Sequence, residues 1–148
     1  LKVEKKPWKL PNKLNNMIKY MNILQQTQFN PQQAVVFDID DTLIDSETGL
    51  IMPKTVSLFH YCVDRGYHVY IITARARTYD AVIYTINQLK HLGLTGYKLI
   101  AFRPPNEWDI PAYKLNARKS IPHQVVMSVG DQQWDIGEYG GIGIIVRK

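Results

Sequence analysis

Four polar residues leave the end of a single apolar run. Val35-Val36-Phe37 leads directly into Asp38-Ile39-Asp40-Asp41-Thr42. The run reads as a buried strand. In open α/β sheets, ligands bind at the carboxyl ends of such strands. Carboxylates packed this closely repel one another and are costly to desolvate. A hard divalent cation relieves both problems, so a metal site is the first expectation. Asp38 and Asp40 stand two apart and would share one face if the strand continued. One can attack an electrophile while the other handles a proton.

Three further stretches follow in order. Tyr70-Ile71-Ile72-Thr73-Ala74-Arg75 is an apolar strand ending in a hydroxyl. Tyr113-Lys114-Leu115-Asn116-Ala117-Arg118 carries a lysine one turn before an arginine. Val129-Gly130-Asp131-Gln132-Gln133-Trp134-Asp135 is a Gly-Asp followed by a second Asp. With Asp38-x-Asp40-x-Thr42, these four resemble motifs I to IV of the haloacid dehalogenase-like (HAD) phosphohydrolase superfamily. Each alone is weak to moderate evidence; four in order, three of them at the ends of apolar strands, are specific. The resemblance runs from about Ala34 to Val146. The Lys-x-x-x-Arg and Gly-Asp-Gln-x-x-Asp details lean toward the acid-phosphatase-like branch.

The resemblance implies a role for each matching residue. Asp38 is the expected nucleophile, forming an aspartyl-phosphate. Mg²⁺ is the expected cofactor, held by the Asp38 carboxylate, the Asp40 backbone carbonyl and the Asp131 carboxylate. Asp135 is either a further contact through water or an orienting group. Asp40 is the expected general acid, and then the base for the attacking water. Thr73 and the backbone N–H of Ala74 would hold phosphoryl oxygens, and Lys114 would stabilise the spreading charge. Within the superfamily, Asp at the second motif I position marks phosphatases, so Asp40 points to phosphate-ester hydrolysis or phosphoryl transfer. Asp41 is expected to point away and cap the turn, with Thr42 holding the turn or Asp40 by hydrogen bonding.

Each residue taken alone has a plainer role. Asp38 and Asp40 can cap turns, Thr73 can be a strand-end hydroxyl, and Asp131 can cap a helix. Lys114 can be a solvated helix residue, with Lys119 as its rival. Arg75 and Arg77 either bind substrate phosphate or cover the surface. His60, His68, His91 and His123 show no metal spacing. Trp134 reads as packing and Trp108 as a rim residue.

The elements that must position these groups alternate. Strands are expected at about Ala34–Asp38, Tyr67–Thr73, Lys98–Phe102, Gln124–Val129 and Ile142–Val146. Helices are expected at about Pro53–Arg65, Thr78–Leu92, Tyr113–Lys119 and Gln132–Tyr139. Pro53 suits a first helical turn, and Gly66 and Gly93 suit helix ends. This alternation implies a doubly wound α/β fold with a parallel sheet. The resemblance implies a Rossmann-like three-layer α/β/α arrangement with strand order 5-4-1-2-3 and Lys114 reaching in from a helix start. Gly140-Gly141 with Gly143 lacks Walker spacing and reads as a turn.

The intervals from Asp40 to Thr73 and from Thr73 to Lys114 hold one or two elements each and leave no room for a large cap. An open site is therefore expected, with Arg103–Trp108 and Ser46–Met52 as rim loops. It would take a bulky phosphorylated substrate, or a small one shielded by oligomerisation or the N-terminal helix.

A chain of 148 residues is long enough for a sizeable core. No apolar run approaches the roughly 18 residues of a membrane span, and the single Cys62 excludes an internal disulfide. No signal peptide is visible, which favours the cytoplasm, although the chain begins at Leu1 rather than Met. The net charge of +5 favours an anionic substrate or partner. Lys2, Lys5, Lys6, Lys9, Lys13 and Lys19 face a single acid, Glu4, in the first stretch. That arm is either solvated or a contact for nucleic-acid phosphates or an acidic protein. Leu14, Met17, Ile18, Met21 and Leu24 recur at helical spacing and form one apolar stripe, expected to dock on the domain, with a dimer contact or shading of the site as the alternatives. The expected division is residues 1–33 as basic arm and amphipathic helix, and 34–148 as catalytic domain.

The reading is a Mg²⁺-dependent phosphatase acting on phosphate monoesters. The alternatives are a polynucleotide-end (3′ or 5′) phosphatase and a non-catalytic binding protein that keeps the fold; phosphotransfer to an alcohol also stays open.

Overall fold

The computed structural model describes Lys19, Ile23, Leu24 and residues 30–148. At its centre is β1 (Gln33–Phe37), every residue of which is buried. Its side chains alternate between two apolar layers, as a strand covered on both faces requires. Val35 and Phe37 enter one layer; Ala34 and Val36 enter the other.

The remaining elements follow in order. They are α1 (Pro53–Arg65), β2 (His68–Ala76), α2 (Tyr79–His91), β3 (Leu99–Arg103), α3 (Ile110–Lys119), β4 (Gln124–Gly130) and β5 (Ile142–Ile145). A 3₁₀ turn, Gln133–Asp135, separates the last two strands. The strands form one five-stranded sheet, β3-β2-β1-β4-β5, with every pairing parallel. Read from the other edge, this is the expected order 5-4-1-2-3. The chain winds one way from β1 and then the other, so the reversal falls beside β1, where a crevice opens at the strands' carboxyl ends.

The larger core lies between the sheet and α1. Phe59 meets Phe37 edge to face at 5.4 Å, and Leu58, Cys62, Leu89 and Leu94 complete the layer. Leu24 inserts into the same layer, and its carbonyl accepts the Tyr67 hydroxyl at 3.4 Å. Leu14, Met17, Ile18 and Met21 of the stripe lie outside the described residues. So do Lys2, Lys5, Lys6, Lys9 and Lys13. On the opposite face α3 packs Tyr113 and Ala117 against Val36, Tyr70 and Ile72. No helix among the described residues is long and apolar enough to cross a membrane.

Two elements differ from expectation. Helix α3 begins at Ile110 rather than Tyr113, because the Asp109 carboxylate accepts the Ala112 N–H at 3.1 Å and Pro111 occupies the first turn. Lys114 therefore sits in the second turn and not at the helix start. The helix expected over Gln132–Tyr139 is only the short 3₁₀ turn. Gly137 and Tyr139 take positive φ of 107° and 61°, which ends any right-handed helix there.

Candidate active site

The β1 strand hands its ladder on by one bond: the Asp38 N–H donates to the Val129 carbonyl at 3.0 Å. This brings Asp38 to the carboxyl rim beside the end of β4. Beyond it a tight turn closes on the Ile39 carbonyl, which accepts the N–H groups of Thr42, Leu43 and Ile44. Asp41 holds φ of 59° in that turn. Its carboxylate accepts from Ser46 and pairs with Lys148 at 2.8 Å, so it faces away from Asp38. Thr42 is buried, and its hydroxyl reaches Asp38 Oδ2 at 3.5 Å. The hydrogen bond expected toward Asp40 goes to Asp38 instead.

From α3, Lys114 enters this rim almost wholly buried. Its ammonium lies 2.9 Å from Asp38 Oδ1 and 2.7 Å from Asp135 Oδ1, and it donates to the Ile72 carbonyl at 2.8 Å. Its rival Lys119 lies instead over the Tyr139 ring. Asp131, at the end of β4, completes a group in which oxygens of Asp38, Asp131 and Asp135 lie within 4.8 Å of one another. Three carboxylates around one ammonium leave excess negative charge. The all-oxygen donor set suits a hard cation such as Mg²⁺.

The electrostatics follow from burial. Desolvation pushes the Asp38 carboxyl up to about 8; Lys114 pulls it back, and the Asp135 charge pushes it up again. Asp135 is raised by burial against the same pull. Burial opposes the Lys114 charge, but the two carboxylates outweigh it and hold that amine above the usual lysine range.

The motif IV turn is shaped around Asp135. Its Oδ2 accepts the Gln132 N–H at 3.0 Å. Gly130 is required here, since a Cβ at that position would collide with the Asp135 side chain. From α3, Arg118 donates to the carbonyls of Trp134 at 2.7 Å and Glu138 at 3.0 Å, pinning the turn from outside. Sequence reading placed Asp135 near the site and took Arg118 as a partner for an acidic residue; the hydrogen bonds above go to backbone carbonyls. The four-residue spacing of Arg118 from Lys114, which puts both on one helix face, was the available signal.

Thr73 ends the regular part of β2 and is fully buried. Its hydroxyl accepts the Arg75 N–H at 3.1 Å and keeps its own proton to donate. Ala74 follows it, with its carbonyl taken by Arg103 at 2.9 Å. The Asp40 carboxylate stands apart from the three-carboxylate group. Arg75 grips it through two nitrogens, at 3.0 and 2.8 Å. Arg75 was read as a phosphate binder or a surface residue; the structure pairs it with Asp40. A cavity of about 810 Å³ lies at the far end of β4 by Lys119 and His123, and none of the site carboxylates lines it.

A parallel sheet of this order, with acids just beyond β1 and β4 and a lysine from α3 between them, has the layout of a HAD-like α/β fold. A family model described as HAD superfamily, subfamily IIIB (acid phosphatase), matches residues 47–146, more than half of the chain. The chain belongs to that subfamily. The matched span includes Thr73, Lys114, Asp131 and Asp135 and begins after Asp38 and Asp40, whose placement rests on the geometry above. No curated protein matches the chain. Among solved structures, it is similar to the class C acid phosphatase from Bacillus anthracis with tungstate bound, at a TM-score of 0.63 and 19% identity. The match covers 84% of this chain and 62% of that one, and shows the shared fold.

Proposed function

We propose that this chain is a Mg²⁺-dependent phosphatase that hydrolyses phosphate monoesters through an aspartyl-phosphate at Asp38. One observation carries the reading: Lys114 is buried between Asp38 and Asp135 at the rim of the central strand, with Asp131 alongside. Such a cluster is costly to build and has no packing role that apolar residues would not fill better.

Asp38, Asp131 and Asp135 are the carboxylates that would hold or orient the ion, with the Asp40 carbonyl as a further donor. When bound, Mg²⁺ supplies positive charge to the phosphoryl oxygens and to the Asp38 carboxylate. Asp38 attacks phosphorus, forming the Asp38–phosphorus bond as the ester oxygen leaves. Asp40, as general acid, passes a proton to that oxygen and releases the alcohol. It then takes a proton from water, which attacks phosphorus and frees phosphate and the Asp38 carboxylate. Lys114 offsets the negative charge around Asp38 throughout. Thr73 and the Ala74 N–H hold the phosphoryl oxygens.

The test is hydrolysis of p-nitrophenyl phosphate with and without Mg²⁺, for the native chain and Asp38→Asn. Metal-dependent turnover that disappears in the mutant is expected. Turnover that survives the substitution would remove Asp38 as the nucleophile.

A further inference from the structure

We infer that Arg75 is a positioning residue for Asp40, and that it ties the acid–base group of the reaction to helix α2. The inference rests on the phosphatase reading for its chemistry and on separate geometry for its structure. The Arg75 guanidinium meets Asp40 as a fork: Nε donates to Oδ2 at 3.0 Å and Nη2 to Oδ1 at 2.8 Å. Two parallel bonds fix the carboxylate plane as well as its distance, which a lysine cannot do. The third nitrogen turns the other way. Nη1 donates to Thr85 Oγ1 at 3.1 Å and Gln88 Oε1 at 2.8 Å, both on α2. Four donor contacts are thus committed to protein acceptors, leaving no open fork for a phosphoryl group.

The backbone explains why Arg75 can do this. The β2–β3 register is irregular between Thr73 and Ala76, the interval that holds Arg75. Such an irregularity beside a site re-aims a side chain that regular pleating would send elsewhere. Here it turns Arg75 across the rim toward a residue 35 positions earlier. The Arg75 side chain is 17% exposed and that of Asp40 43%, so the arginine is the better-fixed partner. Without it, Asp40 would sample several rotamers at the open end of a tight turn.

A misplaced general acid matters most when the leaving group is poor. An alkoxide needs its proton during departure, whereas p-nitrophenolate hardly does. The experiment compares an alkyl phosphate, glycerol 2-phosphate, with p-nitrophenyl phosphate in Arg75→Met, Arg75→Lys and Gln88→Leu. With Arg75→Met, kcat on the alkyl ester should fall about a hundredfold, and much less on the aryl ester. Inhibition by inorganic phosphate should hold. Gln88→Leu should show a weaker loss of the same selective kind, and Arg75→Lys should rescue little. Equal losses on both esters, or weakened phosphate inhibition, would make Arg75 a phosphoryl contact and overturn the inference. No change on either ester would overturn it too. A second readout is independent of turnover: the NMR order parameter of the Arg75 Nε–H bond in the Mg²⁺-loaded protein. It should be rigid in the native chain and loosen in Asp40→Asn and Gln88→Leu. A mobile Nε–H in the native chain would refute the pairing. If the native protein hydrolysed neither ester, the phosphatase reading would fail, while this measurement would still decide whether Arg75 fixes Asp40.

Discussion

At Asp38, burial and the Lys114 charge pull the carboxyl in opposite directions. Its carboxyl is raised from 3.8 to about 8, with burial as the main cause. A carboxyl raised in the fold binds a proton more readily there than in the unfolded chain. Its contribution to stability is therefore full below about pH 4 and is lost as pH rises toward about 8. Metal-free protein should accordingly lose Tm between pH 6 and pH 8. Added Mg²⁺, competing with that proton, should raise Tm more at pH 8 than at pH 6. Thermal unfolding at both values, with and without the ion, checks this; an equal Mg²⁺ effect at both would argue against a protonatable Asp38 at the ion's site. At this scale the resemblance to the four motifs singled out Asp38, Lys114, Asp131 and Asp135, and the fold brings these four side chains together. The partners of Asp40 and Thr42 were not legible. Arg75 reaches Asp40 only through an irregular strand, and Thr42 turns inward because three N–H groups converge on the Ile39 carbonyl. Neither geometry leaves a mark in residue spacing.

Among the elements, the turn after β4 is the most demanding. Asp135 packs against the bare Cα of Gly130 while its oxygens meet Lys114 and Gln132. Gly130→Ala should push Asp135 away from Lys114 and weaken Mg²⁺ binding about tenfold or more, as expected when an outer partner of a metal ligand shifts. Calorimetric titration with Mg²⁺ measures this directly, and unchanged affinity would show that Asp135 has no part in holding the ion. Four helix spans were readable from apolar spacing and caps in the sequence, and three formed. The fourth failed because Arg118 takes the Trp134 and Glu138 carbonyls and because Gly137 and Tyr139 adopt positive φ. A tertiary contact overrode a local helical pattern. The early start of α3 has the opposite cause, a local cap at Asp109 hidden in a proline-bearing loop.

The described residues form one sheet with unequal cover. One face holds the large core with α1, Leu24 and Leu89; the other is covered mainly by α3. Leu24 is almost wholly buried, so the segment before β1 contributes to the fold that bears the site. Leu24→Ala should cost roughly 2 kcal/mol or more, as for other buried leucines. Denaturant unfolding measures it, and a loss near zero would mean that the segment is dispensable to the core. The strand order was legible through the resemblance, which implies 5-4-1-2-3; the alternation of strands and helices by itself gave only a parallel, doubly wound sheet. Leu24 docks on the domain as its apolar stripe implied, but which layer it enters was not legible, since a stripe states that a helix face is covered without saying by which side chains.

Helix α3 also works as a ruler. Lys114 reaches the acids of β1 while Arg118, one turn later, clamps the loop after β4. The three residues between them set the rotation from one grip to the other, about 100° per residue. Point changes at the exposed Asn116 should therefore pass with little effect. Losing or gaining one residue in that interval would swing one grip off its target and uncouple the two halves of the site. The length of this stretch is therefore a tighter constraint than the identity of Asn116.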